Sequence, residues 1–302
     1  MATLTVFTPL YNRINTLKRT YESLKRQTSK DFVWLIIDDG STDNPYEIIK
    51  EWIKINNGFE IKYVYKENGG MHTAHNTAYE NIDTALNVCV DSDDYMPDNA
   101  VQLIIDCWNK NKNKGYAGII ALDFADSTKK VIGKELPTDK ESTTLMGYYN
   151  NGGFGDKKLI YRTDIIKATP PYPVFDNEKY VALAYKYYLI DEKYELKILN
   201  ECVCIVDYQM DGSSTNMYRQ YVRNPKGFAF WRKEQMKHSI NIKQKFKACI
   251  HYVSSSLIAK NKHFVKESPE KFLTVLSIPL GFLLKIIVVK KSKSSYMKVE
   301  GI

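Results

Sequence analysis

The chain has 302 residues, of which 44% are hydrophobic and 13% aromatic, which excludes a disordered polypeptide and allows one large or two modest domains. Residues 1–215 carry 25 Lys and Arg against 31 Asp and Glu, a net charge of −6, whereas residues 216–302 carry 18 against 4, a net charge of +14. The five cysteines form no CxxC pair, so we expect reduced thiols in a cytosolic protein rather than disulfides or zinc. The N-terminus has no basic segment, so we expect no secretory signal.

Strand and helix patterns alternate through the first 125 residues, which predicts βαβ units and a mostly parallel sheet. The predicted strands are residues 3–8, 32–37, 60–65, 85–90 and 116–124, and the predicted helices are residues 13–27, 45–55, 71–82 and 97–111. From residue 129 to about residue 208 the pattern is irregular, with glycine- and proline-rich loops around shorter elements. Beyond residue 216 the chain is helical, basic and aromatic.

Three carboxylates in four residues, Asp91, Asp93 and Asp94, follow directly after the apolar run of the fourth predicted strand. The carboxyl ends of parallel strands form the edge where open α/β folds bind ligands. Hard oxygen ligands suit Mg²⁺ or Mn²⁺ carrying a phosphate, so one interpretation is a site for a metal and a nucleotide diphosphate. The alternative is a solvated turn before the next helix, because Pro97 lies where that helix would begin and acidic residues are favoured there.

Two further polar segments follow the first and second predicted strands. The first runs from Thr8 to Arg13 and offers a hydroxyl, an aromatic ring and a cation, and the second contains Asp38 and Asp39. An aromatic ring can stack on a base and a carboxylate can accept the N3 proton of a pyrimidine, so the two segments together could hold a uridine. The alternative for the second segment is a simple turn at Asp38, Asp39 and Gly40.

These segments, in this order and spacing, resemble the family 2 glycosyltransferases with the GT-A fold. The resemblance rests on Thr8-Pro9-Leu10-Tyr11-Asn12, Ile36-Ile37-Asp38-Asp39-Gly40-Ser41-Thr42-Asp43, Asn68-Gly69-Gly70 with Ala74-His75-Asn76, and Asp91-Ser92-Asp93-Asp94. It covers residues 1–125 closely and residues 150–215 more loosely. It implies a Rossmann-like, mostly parallel central sheet flanked by helices, a UDP-sugar donor, and a divalent Mn²⁺ or Mg²⁺ ion held through a DxD motif. A bound cation would offset the charge that develops on the departing diphosphate, and this electrostatic stabilisation commonly amounts to several kcal/mol.

The resemblance also implies roles for individual residues. The implied nucleotide contacts are Thr8, Pro9, Tyr11, Arg13, Asp39 (on the uracil), Lys66, Asn68, Gly69, His75, Asp91 and Ser92, and the implied metal ligands are Asp93, Asp91 and Asp94. His75 stands where the family often has Arg, which leaves Lys66 or His72 as alternative sources of positive charge.

Inverting sugar transfer needs a base that takes the proton of the acceptor hydroxyl. By resemblance, residues 174–180 are the segment that bears the base, and we choose Glu178, with Asp176 as the second candidate. The alternative is that both acids simply lie at a helix N-terminus, where acidic residues are favoured. The residues expected to contact the sugar or the acceptor are Asp94, Asp156, Lys157, Asp211 and Ser213.

The basic C-terminal region contains an 18-residue stretch, residues 272–289, whose only polar side chains are two hydroxyls and one lysine. A polybasic segment, residues 290–293, follows it. The stretch is at the short limit for a bilayer span and is interrupted by a proline, a glycine and the lysine. We therefore favour a segment that lies in the plane of an anionic membrane surface over a true span or a core helix.

These patterns predict a GT-A catalytic domain followed by a basic helical extension that associates with membranes. The predicted ranges are residues 1–215 for the catalytic domain, 1–125 for its nucleotide-binding half, 126–215 for its acceptor or sugar half, and 216–302 for the extension.

The expected activity is transfer of a sugar to a lipid-linked glycan in capsule or other cell-surface polysaccharide synthesis, by a peripheral protein at the cytoplasmic face of the membrane. One alternative is a metal-dependent nucleotidyltransferase, although the N-terminal region lacks a glycine-rich phosphate loop. The other is a non-enzymatic nucleic-acid-binding protein with a basic C-terminal domain. The apolar stretch of residues 272–289 would have no role in binding nucleic acid. We therefore expect no nucleic acid as a partner, and a homo-oligomer is left open.

Overall fold

The computed structural model describes residues 2–208 and 217–297, with side chains as far as residue 293. The strands are β1 (Leu4–Leu10), β2 (Phe32–Asp39), β3 (Glu60–Lys66), β4 (Leu86–Cys89), β5 (Gly118–Ala125), β6 (Lys130–Val131), β7 (Ser142–Thr143), β8 (Lys157–Arg162) and β9 (Leu196–Val206). The helices are α1 (Ile14–Lys25), α2 (Tyr46–Lys54), α3 (Met71–Asn81), α4 (Ala100–Asn111), α5 (Leu145–Asn150), α6 (Thr163–Ala168), α7 (Ala184–Asp191), α8 (Met217–Arg223), α9 (Pro225–His238), α10 (Ile242–Ile258), α11 (Phe264–Glu267), α12 (Lys271–Leu276) and α13 (Ile278–Met297).

A central sheet joins the strands in the order β3-β2-β1-β4-β8-β5-β9-β7, with β6 paired to β5. The pairs β3–β2, β2–β1, β1–β4 and β5–β9 are parallel. Strand β8 is antiparallel to both of its neighbours, β4 and β5. The predicted α/β fold with a central sheet flanked by helices is confirmed, and the sheet is mixed around β8.

The first two strands are rich in apolar residues because both lie in the core. Both β1 and β2 are buried along their whole length, as strands covered on both faces must be. Helix α1 packs Tyr21 against Trp52 of α2, with ring centroids 4.2 Å apart, and Trp34 of β2 lies 6.0 Å from Tyr21. The predicted strands and helices of this region agree with the structure to within three residues.

The chain forms two compact units: Met1–Pro171 with Lys186–Gln209, and Tyr172–Tyr185 with Met210–Ile302. The first unit contains the sheet. The second unit has its own core of buried residues, among them Met236, Cys249 and Tyr252. Residues 172–185, which the sequence analysis placed in a first domain ending at residue 215, thus belong to the second unit.

Candidate functional site

The carboxyl ends of β1, β2, β3 and β4 lie at the same edge of the first unit's sheet. The parallel register pairs Leu10 with Asp38, and Asp39 with Lys66. Near the end of β4, Cys89 pairs with Phe7 of β1. The loops that follow these strands therefore start side by side, which is the position where open α/β sheets bind ligands.

The loops after β1 and β2 are tied together by hydrogen bonds. The backbone N–H of Asn12 donates to Ser41 Oγ (3.0 Å), and Asn12 Oδ1 accepts from the backbone N–H of Thr42 (2.7 Å). Asp43 Oδ2 accepts from the backbone N–H of Ile14 (3.1 Å) at the start of α1. The ring of Tyr11, the residue before Asn12, remains 49% exposed, so it is available for stacking at a fixed place on the edge.

Thr8 and Pro9, both expected to contact the nucleotide, are buried within β1. The Thr8 hydroxyl accepts a hydrogen bond from the indole nitrogen of Trp34 at 3.0 Å. The structure therefore gives both side chains a packing role beneath the edge.

Asp39 organises the loop between β3 and α3. Its Oδ1 accepts from Lys66 Nζ (2.5 Å) and from the backbone N–H of Gly69 (2.9 Å). Its Oδ2 accepts from the backbone N–H of Gly70 (2.8 Å) and the side-chain amide of Asn68 (3.2 Å). The carboxylate is buried and receives four donors, so its structural task is to shape this loop. Its predicted contact with uracil stays a prediction.

Glycine is required next to this carboxylate. Gly40 has a φ of 77°, and a Cβ there would lie 2.7 Å from the backbone nitrogen of Asn68. Any side chain at residue 40 would push apart the loops that follow β2 and β3. The predicted turn glycine thus also permits a close approach between two loops of the site.

His72 and His75 of α3 are both buried and cannot replace the arginine that the family often has. Burial lowers the pKa of His72 to about 4 and the pKa of His75 to about 3. The Nδ1 of His75 lies 3.1 Å from the Tyr79 hydroxyl, and its ring packs edge-on against Phe7. Both imidazoles are therefore neutral at pH 7, and the predicted phosphate contact of His75 would have to be made without a charge. Lys66 is the cation nearest to Asp39, to which its ammonium is bonded.

Asp94 belongs to a buried ion cluster that we define by Asp94, Lys158 and Asp123. The ammonium of Lys158 lies 4.0 Å from Asp94 Oδ2 and 3.6 Å from Asp123 Oδ1. Burial raises the pKa of both carboxyl groups, and the two acids raise the pKa of Lys158 well above its ordinary value in spite of its own burial. Asp94 Oδ1 also accepts from the backbone N–H of Asp207 at 3.2 Å. The side chain of Asp94, predicted as a metal ligand and a sugar contact, is thus engaged inside the protein.

Asp91 and Asp93 remain as the carboxylates at the end of β4 that are suited to a cation. Burial and the charge of Asp91 raise the pKa of Asp93, while Arg13 opposes that rise. The Asp93 backbone carbonyl accepts from Arg19 at 2.5 Å, which fixes the loop, and Ser92 between the two acids is buried.

The donor chemistry of Asp91 and Asp93 decides which ion they could hold. In the described residues, no group of three or more His, Cys, Asp or Glu side chains is arranged to hold a metal ion. Two hard carboxylates that repel each other nevertheless fit Mg²⁺ or Mn²⁺, which commonly take one or two protein carboxylates and complete their shell with phosphate oxygens and water. A cation would counteract the burial and the repulsion by Asp91 that together raise the pKa of Asp93.

Two of the other predicted acceptor or sugar contacts, Asp156 and Lys157, have partners within the first unit. Asp156 accepts from the hydroxyl of Tyr208 at 2.5 Å. The ammonium of Lys157 is buried and donates to three backbone carbonyls, so this lysine holds its own loop. Asp211 and Ser213 lie outside the described residues.

The two candidate bases belong to the second unit. The carboxylate of Glu178 accepts from the backbone N–H groups of Lys226 (2.9 Å) and Gly227 (2.8 Å) in the first turn of α9. Glu178 is buried, whereas Asp176 is exposed. Glu178 therefore stabilises the N-terminus of α9. The choice of either acid as base stays a prediction.

The sequence does not reveal the partners of the acidic loop, Lys158, Asp123 and Asp207. One signal was visible: Asp123 is a lone carboxylate inside the apolar strand β5, and a buried charge needs a partner. No local pattern identifies that partner as Lys158, because the two residues meet only through the pairing of β5 with β8.

The sequence of this chain is similar to those of known glycosyltransferases. Residues 5–169, more than half of the chain, match the family model described as "Glycosyl transferase family 2". "Glycosyltransferase GlyA" of Streptococcus pneumoniae is 35% identical over 101 residues, which are 33% of this chain and 14% of that protein. "Teichoic acid poly(glycerol phosphate) polymerase" of Staphylococcus epidermidis is 31% identical over 174 residues, 56% of this chain and 23% of that protein. The matches thus span less than a quarter of either relative.

Among solved structures, that of Staphylococcus aureus TarS 1–349 in complex with UDP-GlcNAc superimposes with a TM-score of 0.59 at 15% identity, covering 98% of this chain and 92% of that chain. At this identity the likeness shows the fold, which is of the GT-A type. The family match over residues 5–169 shows that the chain belongs to glycosyl transferase family 2.

Proposed function

We propose that the protein is an inverting glycosyltransferase that moves a sugar from a UDP-sugar to a hydroxyl group of a lipid-linked glycan in cell-surface polysaccharide synthesis. The observation that carries the proposal is the edge formed by the ends of β1 to β4. It combines an exposed aromatic ring at Tyr11, the loop ordered by Asp39, and the carboxylate pair Asp91 and Asp93. Membership of the family supports sugar transfer, and the UDP-GlcNAc bound by the similar TarS structure supports a UDP-sugar donor.

The donor nucleotide would bind across these loops. Tyr11 would stack on the uracil, and the positive end of the α3 dipole would favour the diphosphate. Arg13 lies close enough to lower the pKa of Asp93 and would add positive charge beside the diphosphate. Asp91 and Asp93 would hold the divalent cation, which supplies electrostatic stabilisation of the departing diphosphate when bound.

The transfer step joins the acceptor oxygen to the anomeric carbon from the face opposite the diphosphate. The bond between the anomeric carbon and the diphosphate oxygen breaks, UDP leaves with the electron pair, and a base takes the proton of the acceptor hydroxyl. Glu178 is our first candidate for this base and Asp176 the second. Glu178 has two backbone N–H partners, and a carboxylate with two such donors still has lone pairs that can accept a proton.

The acceptor class is supported by the polymer-forming relative and by the charge of the C-terminal region. One similar protein is a teichoic acid poly(glycerol phosphate) polymerase, and residues 216–302 of this chain carry a net charge of +14. Family membership favours sugar transfer over the nucleotidyltransferase and the nucleic-acid-binding alternatives.

The experiment that tests the proposal is a screen of UDP-, GDP- and dTDP-sugars for binding and slow hydrolysis by the full chain, with Mn²⁺, with Mg²⁺ and with chelator. We expect a UDP-sugar to bind most tightly and chelator to weaken its binding. Preference for a GDP- or dTDP-sugar would overturn the donor assignment. Binding and hydrolysis that are unchanged by chelator would overturn the metal site.

A further inference from the structure

Helices α12 and α13 of the second unit present an apolar surface to the outside. They form an almost continuous helix interrupted only at Ser277. The backbone N–H of Ser277 donates to the carbonyl of Leu273 (2.9 Å), and that of Gly281 donates to the carbonyl of Ser277 (2.8 Å), so helical bonding continues across the interruption. Eight large apolar side chains on this helix are between 40% and 75% exposed: Phe272, Val275, Leu276, Leu280, Phe282, Leu283, Ile286 and Ile287.

The polarity of this helix is the reverse of that of an ordinary surface helix. At about 100° per residue, the eight apolar side chains fall within an arc of about 160°. We call this arc the apolar stripe. The buried residues Thr274, Ser277, Gly281, Val288 and Ser292 fall on the opposite side, within an arc of about 60°. Three hydroxyl groups, a glycine and a single valine thus face the protein, and most of the large hydrocarbon side chains face outward.

Contacts on the inner side hold the helix in this orientation. Gly281 lies so close to α10 that a Cβ there would be 2.5 Å from Val253 Cβ. The hydroxyls of Thr274 and Ser268 are 2.7 Å apart and hydrogen-bonded. Rotating the stripe inward would bring large side chains against α10 and would unpair these hydroxyls. The exposed stripe is therefore a property of the folded second unit.

The charges around the stripe identify its partner. Residues 271–297 contain no Asp or Glu. Lys271 lies at the start of the helix and Lys290, Lys291 and Lys293 at its end, and all four are exposed. An apolar stripe with lysines at both ends matches a lipid surface, because hydrocarbon can enter the acyl region while ammonium groups stay with anionic headgroups. In the part of the chain that the structure describes, no helix is long and apolar enough to cross a membrane.

We propose that the apolar stripe docks the second unit on an anionic lipid surface, with α12 and α13 lying in the membrane plane. Such helices bury their apolar face by about 5–10 Å at the boundary between headgroups and acyl chains. The inference deepens the proposed function by placing the enzyme on the surface that carries a lipid-linked acceptor, and it rests on that function only for this purpose. Confinement to one surface raises the effective concentration of the acceptor.

The test is flotation of the full chain with phosphatidylcholine vesicles, with and without phosphatidylglycerol, at low and high salt. We expect binding to the anionic vesicles that weakens as salt rises. The double variant Leu283→Glu and Ile286→Glu should bind more than tenfold more weakly. The matched control is Ile53→Glu and Ile55→Glu, which places the same charges at two exposed isoleucines of the first unit and should not change binding.

A second variant tests the charges without altering the stripe. Lys290→Gln with Lys293→Gln should weaken binding to anionic vesicles about 25-fold, since each lysine near such a surface contributes about fivefold. Binding of UDP, measured on every variant, should be unchanged.

Three outcomes would overturn the proposal. The first is no vesicle binding by the unaltered chain, and the second is full binding by both the Leu283→Glu, Ile286→Glu variant and the Lys290→Gln, Lys293→Gln variant. The third is that the unaltered chain forms oligomers, which Leu283→Glu with Ile286→Glu converts to monomers, and that vesicles have no effect. The last result would assign the stripe to a contact between copies of the chain. Vesicle binding without UDP binding would contradict the proposed function and leave the docking inference standing.

Discussion

The buried ion cluster beneath the acidic loop allows a quantitative test of how the first unit is held together. The ammonium of Lys158 faces two carboxylates, at 3.6 Å from Asp123 and 4.0 Å from Asp94, and all three side chains are at most 12% exposed. The change Lys158→Met keeps most of the side-chain volume and removes the charge. Loss of one partner from a buried pair costs about 3–5 kcal/mol, because the other charge is left without compensation. These separations exceed hydrogen-bond distance, so we expect the lower end, about 3 kcal/mol.

The assay is urea unfolding of the full chain, followed by tryptophan fluorescence, since three of the four tryptophans (Trp34, Trp52 and Trp108) are in the first unit. Adding Asp123→Asn to Lys158→Met removes one uncompensated carboxylate. The double variant should regain at least about 1 kcal/mol of the free energy of unfolding, which is within the range of interaction energies measured between contacting residues.

The cost of Lys158→Met should also depend on pH. Burial already raises the pKa of both acids above their unfolded values, and loss of the ammonium raises it further. The folded state then binds more protons than the unfolded state, so the stability of the variant falls as pH rises. The cost should be smaller at pH 5 than at pH 7. A cost below about 1 kcal/mol that is equal at both pH values would refute the role of Lys158 as counter-ion.

Three further predictions address the site and its support. Asp93→Asn should remove the dependence of UDP binding on Mn²⁺ or Mg²⁺, measured by calorimetry, whereas Asp98→Asn, at an exposed acid paired with Arg26, should not; an unchanged metal dependence in Asp93→Asn would exclude Asp93 as a ligand. Glu178→Gln should abolish transfer with UDP affinity nearly intact, and wild-type-like turnover would exclude Glu178 as the base; if the thermal midpoint falls with activity, capping of α9 explains the loss. Burial raises the pKa of Asp191 to about 6, above the unfolded value of about 3.9, so its ionisation lowers stability as pH rises from about 4 to 6. Asp191→Asn should remove this pH dependence, which amounts to up to about 3 kcal/mol in the free energy of unfolding at pH 7. An unchanged pH dependence would show that other groups cause it.

The elements of the first 125 residues could be predicted because their signals are local. The buried strand β2 is apolar from Phe32 to Ile37, the buried strand β1 is apolar apart from two threonines, and helix α1 between them buries one face. The polar segments around Asp39 and Asp91 could also be recognised, since each directly follows an apolar strand. Parallel pairing then brings them to one edge without any further information from the chain.

Tertiary structure alone decided which of these side chains are engaged by partners inside the protein. Asp91 and Asp94 are close in sequence, yet Asp94 is taken up by Lys158 because β8 inserts antiparallel between β4 and β5. His75 stands where the family often has a charged residue, but burial against Phe7 keeps it neutral.

The C-terminal helices show the same division. The apolar run and its lysines were visible in the sequence, whereas the outward direction of the stripe depends on the contact of Gly281 with Val253. Periodicity reports on neighbours along the chain, and burial is set by residues that meet only after strands pair and helices pack.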